Sequence, residues 1–142
     1  MLIKEASIQD IDELYHLNEL FNGEGCTTKE MMYEVLVQPR TEKIIIGCID
    51  DKVVGFCCIQ IVSSICYKNR VAEVTELFVK EEYRRQGIAL AMMKYVEEVC
   101  RDNGVLSVHL LTGMDNYDAQ ALYECIGYQK KSELMYKKYI GK

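Results

Sequence analysis

Two rhythms of apolar and polar residues alternate along this chain, one of period two and one near 3.6, and the changes between them mark its elements. The opening "LIKEA" (residues 2–6) predicts a short strand. Ser7 and Asp10 then form a capping-box-like S-x-x-D, after which Ile11, Leu14, Tyr15 and Phe21 recur at helical spacing. That helix should end at "FNGEG", where Gly23 and Gly25 permit a tight exposed loop. Thr27 and Glu30 offer a second capping box ahead of "MMYEVLVQ", and Pro39 halts the helix because the residue before a proline avoids helical geometry. Three strand-like runs follow. "KIIIGCI" turns through Asp50-Asp51-Lys52 into "VVGFCCIQIV", and a polar turn at Lys68-Asn69-Arg70 leads to "VAEVTELFV".

From Gly87 the rhythm becomes helical again, with Ile88, Met92, Tyr95, Val96 and Val99 on one face and Asn103-Gly104 as the stop. "VLSVHLLT" has the composition of a buried strand. "DNYDAQALYECIGY" predicts a helix capped by Asp115 or Asn116 and closed by Gly127. "YQKKSELMYKKYI" predicts a terminal strand pair whose lysines guard an exposed edge. No repeat, low-complexity tract or linker interrupts this order, so the expectation is a single α/β (α+β) domain over residues 1–142.

Composition narrows the class. With 49% hydrophobic and 27% charged residues, the profile is that of a globular chain with its own core. No apolar run approaches the ~20 residues of a membrane helix, and the N-terminus lacks the basic-then-apolar pattern of a secretory signal. A formal net charge of −5 argues against a nucleic-acid partner and suits a cationic one. The seven cysteines are odd in number, have no CxxC spacing and lie largely in apolar runs. They read as reduced, buried thiols of a cytoplasmic protein, with neither a disulfide framework nor a metal site.

Candidate chemistry concentrates in "LFVKEEYRRQGIALAMM", a strand feeding a helix through a short loop. Helix N-termini leave backbone N–H groups unpaired beside a partial positive charge, so a glycine there lets donors converge on an anion. Gly87 supplies that approach, Ala89 leaves room, and Arg84 and Arg85 add mobile positive charge. Neither GxxxxGK[ST] nor GxGxxG is present, which removes the ATPase and dinucleotide readings.

"ELFVKEEYRRQGIA" resembles the acetyl-coenzyme A loop of the GNAT superfamily of N-acetyltransferases, whose hallmark [QR]-x-x-G-x-[GA] is filled by Arg84, Gly87 and Ala89. "NYDAQALYECIGY" resembles the family's N-x-x-A-x-x-L-Y-E-x-x-G-[FY] helix through Asn116, Ala119, Leu122, Tyr123, Glu124, Gly127 and Tyr128. The two motifs stand in the family's order, and the likeness is strongest over residues 73–128.

The resemblance implies a GNAT fold with a mixed central sheet of about six or seven strands, splayed between its fourth and fifth, and about four flanking helices. It implies that the backbone of Arg85, Gln86, Gly87, Ile88, Ala89 and Leu90 cradles the pyrophosphate of acetyl-coenzyme A. The pantetheine arm would lie along Leu77, Phe78 and Val79, with Asn116 and Ala119 also in the coenzyme site. No metal is implied.

Amine acetylation needs a base, since an alkyl ammonium with a pKa near ~10.4 must lose a proton before attack. The developing oxyanion needs a donor, which a strand N–H near Phe78 or Val79 can supply, and the departing thiolate benefits from an acid. By resemblance Tyr123 is that acid. Glu76 and Glu73 are the candidate bases; an ideal strand puts them on opposite faces, and a bulge would remove that distinction.

Phe21, Asn22 and Glu24, at the end of the first helix, are the expected acceptor contacts, with Glu19 and Glu24 able to pair with a cationic amine. His16, among Gln9, Asp12 and Glu13, is expected to be solvated and His109 to be structural. The implied function is transfer of acetyl to a primary amine of a small cationic, aminoglycoside-like or polyamine-like acceptor by direct attack in a ternary complex. Acetylation of a protein or peptide amine, and a non-catalytic acetyl-coenzyme A sensor, are the alternatives. A homodimer through the C-terminal region and a different acyl donor stay open.

Overall fold

The structure, a computed structural model, describes residues 1–38 and 41–141. Its elements run β1 (Leu2–Glu5), α1 (Ile11–Asn22), α2 (Lys29–Val37), β2 (Glu42–Ile49), β3 (Lys52–Ser64), β4 (Tyr67–Val79), α3 (Ile88–Asp102), β5 (Val105–Leu110) and α4 (Tyr117–Cys125). Single 3-10 turns at Ile8–Asp10 and Glu81–Tyr83 lead towards α1 and α3. Contacts divide the chain into two compact units, Met1–Leu111 and Thr112–Lys142.

In the first unit five strands form one mixed sheet in the order β1-β2-β3-β4-β5. Neighbours are antiparallel except β4 and β5, which are parallel and joined through α3. The β2–β3 hairpin closes through Asp50 (φ 49°) and Asp51 (φ 63°), the two left-handed residues of a tight turn whose twist matches the strands. Both faces of the sheet are covered. On one, α3 lays Ile88, Met92, Met93, Val96 and Cys100 down as a buried stripe. It comes so close that a Cβ on Gly47 would stand 2.8 Å from Ile88 Cγ2.

On the other face, Leu14 and Leu17 of α1 pack with Ile46, Cys48, Val53 and Phe56. Each buried Leu, Ile, Val or Phe side chain here contributes roughly 1.5–3 kcal/mol. The chain enters α1 through Asp10, whose carboxylate accepts from the Ser7 N–H at 2.8 Å and pairs with Lys4 at 3.6 Å.

The mixed α/β class and the four helices agree with the sequence expectation, and four details differ. The cap of α2 is Thr28 rather than Thr27, because its hydroxyl accepts from the Met31 N–H at 3.1 Å. The β3–β4 turn is at Ile65-Cys66, since Ser64 pairs with Tyr67 and the hairpin arms run on through the exposed Lys68-Asn69-Arg70. The sheet has five strands rather than six or seven. The terminal strand pair is absent among the described residues, because residues 129–141 bury no face and carry no ladder bonds. The stop assigned to Pro39 lies outside the described residues; α2 ends at Val37.

Candidate active site

β4 carries the feature that organises the site. Its pairing with β3 runs Gln60 with Glu73, Ile59 with Val74, and then Cys58 with Glu76, so Thr75 has no partner of its own. This is a β-bulge, and it resets the period of two. Cys58 and Gln60 are two apart on β3 and point to one face. Their partners Glu76 and Glu73 therefore share that face, where an unbroken strand would have separated them. Across the neighbouring strands, Glu42 of β2 opposes Gln60, and His109 of β5 pairs with Glu73. Three carboxylates thus lie on the face that carries α1.

An aromatic cluster adjoins them. Phe21 at the end of α1 stacks on Phe78 of β4 with centroids 4.9 Å apart and meets Phe56 edge-on at 6.1 Å. The Phe56 and Phe78 rings are 6.0 Å apart, so all three are in mutual contact. This stack pins the helix end to the strand one residue from Asn22, whose amide favours the charged form of the Glu76 carboxyl.

Burial pushes Glu76 above the usual carboxylate range, and the nearby Asn22 amide partly opposes that rise. Burial raises Glu42 as well; a 3.1 Å bond from Gln60 Nε2 offsets part of it, and the charge on Glu76 adds to it. Cys58 stands in the same group, and burial together with the Glu42 carboxylate holds its thiol well above the ordinary value. It stays protonated at neutral pH and is a poor nucleophile there.

Beyond this face β4 parts from β5. Their pairing ends at Val74 with Leu110, and residues 75–79 continue with β3 alone. The strand edge turned towards β5 is therefore left open to an extended group. At its end Arg84 folds back, donating from Nε to the Val79 carbonyl at 2.8 Å with its guanidinium 5.7 Å from the Phe78 ring centre. Arg84 is thus tethered to the strand, where the sequence suggested a mobile cation. Arg85 (φ 61°) and Gly87 (φ 81°) are both left-handed and shape the loop into α3.

The first intrahelical bond of that entry runs from the Ala91 N–H to the Gly87 carbonyl, so the N–H groups of Ile88, Ala89 and Leu90 precede it without helical acceptors. A Cβ placed on Gly87 would meet nothing within 4 Å. Open N–H groups, free space and an unpaired strand edge fit a ligand with a phosphate end and a long amide-bearing arm.

A family model described as "Acetyltransferase (GNAT) family" matches residues 9–128. The chain belongs to the acetyltransferase (GNAT) family. The family places it among the acyltransferases, and its members generally use acetyl-coenzyme A. A putative [ribosomal protein bS18]-alanine N-acetyltransferase of Bacillus subtilis is 25% identical over 127 residues, 89% of this chain and 80% of its own length. N-acetyltransferase 8 of Homo sapiens is 36% identical over 84 residues, 59% of this chain, which spans only 37% of that relative. Among solved structures, an aminoglycoside acetyltransferase from an uncultured soil metagenomic sample, in complex with sisomicin, superposes with a TM-score of 0.85. It is 16% identical and covers 99% of this chain and 96% of its own, a likeness of fold.

In this GNAT chain the predicted residues are distributed over both units. Glu73, Glu76, Phe78, Phe21 and Asn22 come together on the α1 face of the sheet. Arg84 to Leu90 form the loop and first turn of α3, while Leu77 and Val79, partners of Cys57 and Gly55, face the α3 side. Glu24 is exposed in the loop after α1, where its charge bears on the Tyr15 hydroxyl. In the second unit, Asn116 caps α4 by accepting from the Ala119 N–H at 3.2 Å, and the Tyr123 ring stands 6.1 Å from that of Tyr128.

Sequence reasoning missed Glu42 and Gln60. It also took His109 as structural, whereas the imidazole is exposed and 3.9 Å from Glu73. A separate cavity of about 310 Å³ beside α1, lined by Glu13, His16, Lys52, Lys80 and others, does not include Glu76. Among the described residues no helix is long and apolar enough to cross a membrane, and no cluster of potential metal ligands is present.

Proposed function

We propose that this chain is an acetyl-coenzyme A-dependent N-acetyltransferase whose acceptor is a primary amine on a small cationic molecule. The observation that carries the acceptor class is the bulge-aligned pair Glu73 and Glu76, with Glu42 opposite Gln60, beside the Phe21–Phe78 stack. Acetyl-coenzyme A, when bound, supplies an acetyl group activated as a thioester. The N–H groups from Arg85 to Leu90 hold its pyrophosphate, and residues 77–79 offer the strand edge to its arm. Glu76 accepts the ammonium proton: a carboxylate raised by burial is a stronger base than a solvated one, and Asn22 keeps it from being raised too far.

Direct attack is favoured over a thiol relay because the thiol in this group, Cys58, is held protonated. Tyr123 is assigned the acid role by its place in the family's helix motif. Free thiols in the core, such as Cys57, whose pKa burial raises to about 12, suit a reducing compartment such as the cytoplasm.

The relative named for alanine N-acetylation of a ribosomal protein supports a second reading, a peptide N-terminus as acceptor. Both are tested by coenzyme A thiol release across a panel of polyamines, aminoglycosides and short peptides with free N-termini, with Glu76→Gln and Tyr123→Phe alongside. Release with the small cations that falls at least 100-fold in Glu76→Gln supports the first reading. Release with peptides alone replaces the acceptor, and binding of coenzyme A without release on any of them refutes the enzyme reading in favour of a sensor.

A further inference from the structure

We propose that the cavity beside α1 is a second binding site, for a small molecule that carries an oxyanion head, a carboxylate or a phosphate ester, on an apolar body. Its volume of about 310 Å³ stands at the lower end of small-molecule pockets, which run from ~300 to ~1,000 Å³. Leu17 of α1 and Val53 and Val54 of β3 give it an apolar floor, and all three are buried. Polar side chains from α1, from the start of β3 and from the residues after β4 form its rim.

The partners already made decide which charge this rim can take. Both of its carboxylates are engaged: Glu13 Oε2 accepts from the Val53 N–H at 2.8 Å, and Asp12 Oδ1 pairs with Lys29 at 3.0 Å. Lys80 is engaged as well, with Glu82 Oε1 at 3.4 Å. The side chains of Lys52, His16 and Tyr83 make no hydrogen bond or ion pair among the described residues. What is left over is a free ammonium, a phenol O–H and an imidazole N–H, all donors. An anion satisfies them and a cation does not. An exposed ammonium holds an anion only weakly by itself, so the apolar floor has to carry part of the affinity, which is why the ligand needs an apolar body. The cavity contains none of residues 85–90. Its wall is nevertheless continuous with that loop: the Lys80 N–H donates to the Val54 carbonyl at 2.8 Å and the Tyr83 N–H to the Lys80 carbonyl at 2.9 Å, one residue before Arg84.

The test is a titration of assigned backbone amide resonances with benzoate, phenyl phosphate, benzylamine and benzyl alcohol, each with and without excess coenzyme A. At least one of the two anions is expected to shift the amides of Glu13, His16, Val54 and Tyr83 saturably, whether or not coenzyme A is present, and which of them binds names the head group. Lys52→Met, which keeps the length of the stem, is expected to weaken that anion at least threefold, and Lys52→Arg to restore it. Tyr83→Phe, which removes only the hydroxyl, is expected to weaken it too. Lys52 is exposed at the start of its strand, so the fold survives its replacement, and unchanged resonances elsewhere check this. Four results overturn the proposal: no saturable shift with either anion, shifts confined to Ile88–Leu90 or abolished by coenzyme A, benzylamine or benzyl alcohol binding as tightly as the anions, or an affinity that Lys52→Met leaves unchanged. The titration involves neither turnover nor an acceptor, so its failure is separate from failure of the thiol-release assay.

Discussion

Replacing Gly87 by alanine separates two reasons for a glycine at the head of α3, and Gly104 supplies the control. Both are left-handed, at φ 81° and 70°, and both have open space where a Cβ would go. Left-handed backbone costs a residue with a Cβ roughly 1–2 kcal/mol. A stiffer unfolded chain returns about 0.4–1 kcal/mol, leaving a net loss of about 1 kcal/mol for either substitution. In a domain of this size that lowers Tm by roughly 3–4 °C. Stability should therefore not distinguish the two.

Binding should. Gly87 precedes the open N–H groups of Ile88, Ala89 and Leu90, whereas Gly104 follows α3 at its far end, ~22 Å away along a 15-residue helix. If a pyrophosphate approaches the backbone at Gly87, the new methyl group occupies its space. Coenzyme A affinity, measured by calorimetry, is then expected to fall at least tenfold in Gly87→Ala and to stay within twofold of native in Gly104→Ala. Equal affinities in the two variants, with equal losses of Tm, would show that Gly87 is there for its dihedral angle alone.

Gly55→Ala is expected to cost about 1–3 kcal/mol by denaturant unfolding and more than Gly47→Ala, because its Cβ would stand 2.8 Å from the Phe78 backbone oxygen while that of Gly47 meets a side-chain methyl, Ile88 Cγ2. The reverse order would contradict the close approach of β3 to β4. For Glu42, a folded-state pKa above the unfolded value means that the folded chain binds more protons in that window, so stability falls as pH rises through it. Glu42→Gln is accordingly expected to match the native chain at pH below the ordinary carboxylate range and to exceed it in stability above the raised pKa. A deficit there would reverse the sign. Under saturating coenzyme, kcat/KM for an active amine is expected to rise with pH along an acid limb set by Glu76, with its midpoint above the ordinary glutamate value, and a flat acid limb would exclude Glu76 as the base.

Local rules made most of this architecture readable from the chain. Ser7 and Asp10 cap what they should, the Asp50-Asp51 turn closes its hairpin, and the α3 stripe from Ile88 to Val99 is buried as its spacing requires. Reading failed where a local signal had two meanings. Lys68-Asn69-Arg70 has turn composition, yet it lies in a strand whose arm is exposed, so polarity there reflects solvent and not a reversal. The alternation in "YQKKSELMYKKYI" has strand rhythm, yet rhythm alone supplies no partner for the backbone.

The site shows the same division more sharply. Within β4 the buried positions Ala72 and Val74 are two apart, but the next residue fully buried on that side is Val79, five further on. An odd step in a period-two pattern marks an inserted residue, so the bulge at Thr75 leaves a trace in the sequence. Glu73 and Glu76 become a pair through it. Glu42 leaves no such trace, because its place opposite Gln60 depends on the register between β2 and β3, which the turn at Asp50-Asp51 fixes only together with the irregularity at Gly47/Cys48. A carboxylate that joins the site across two strands is legible only once that register is known, whereas one carried on the coenzyme strand is legible from the strand itself.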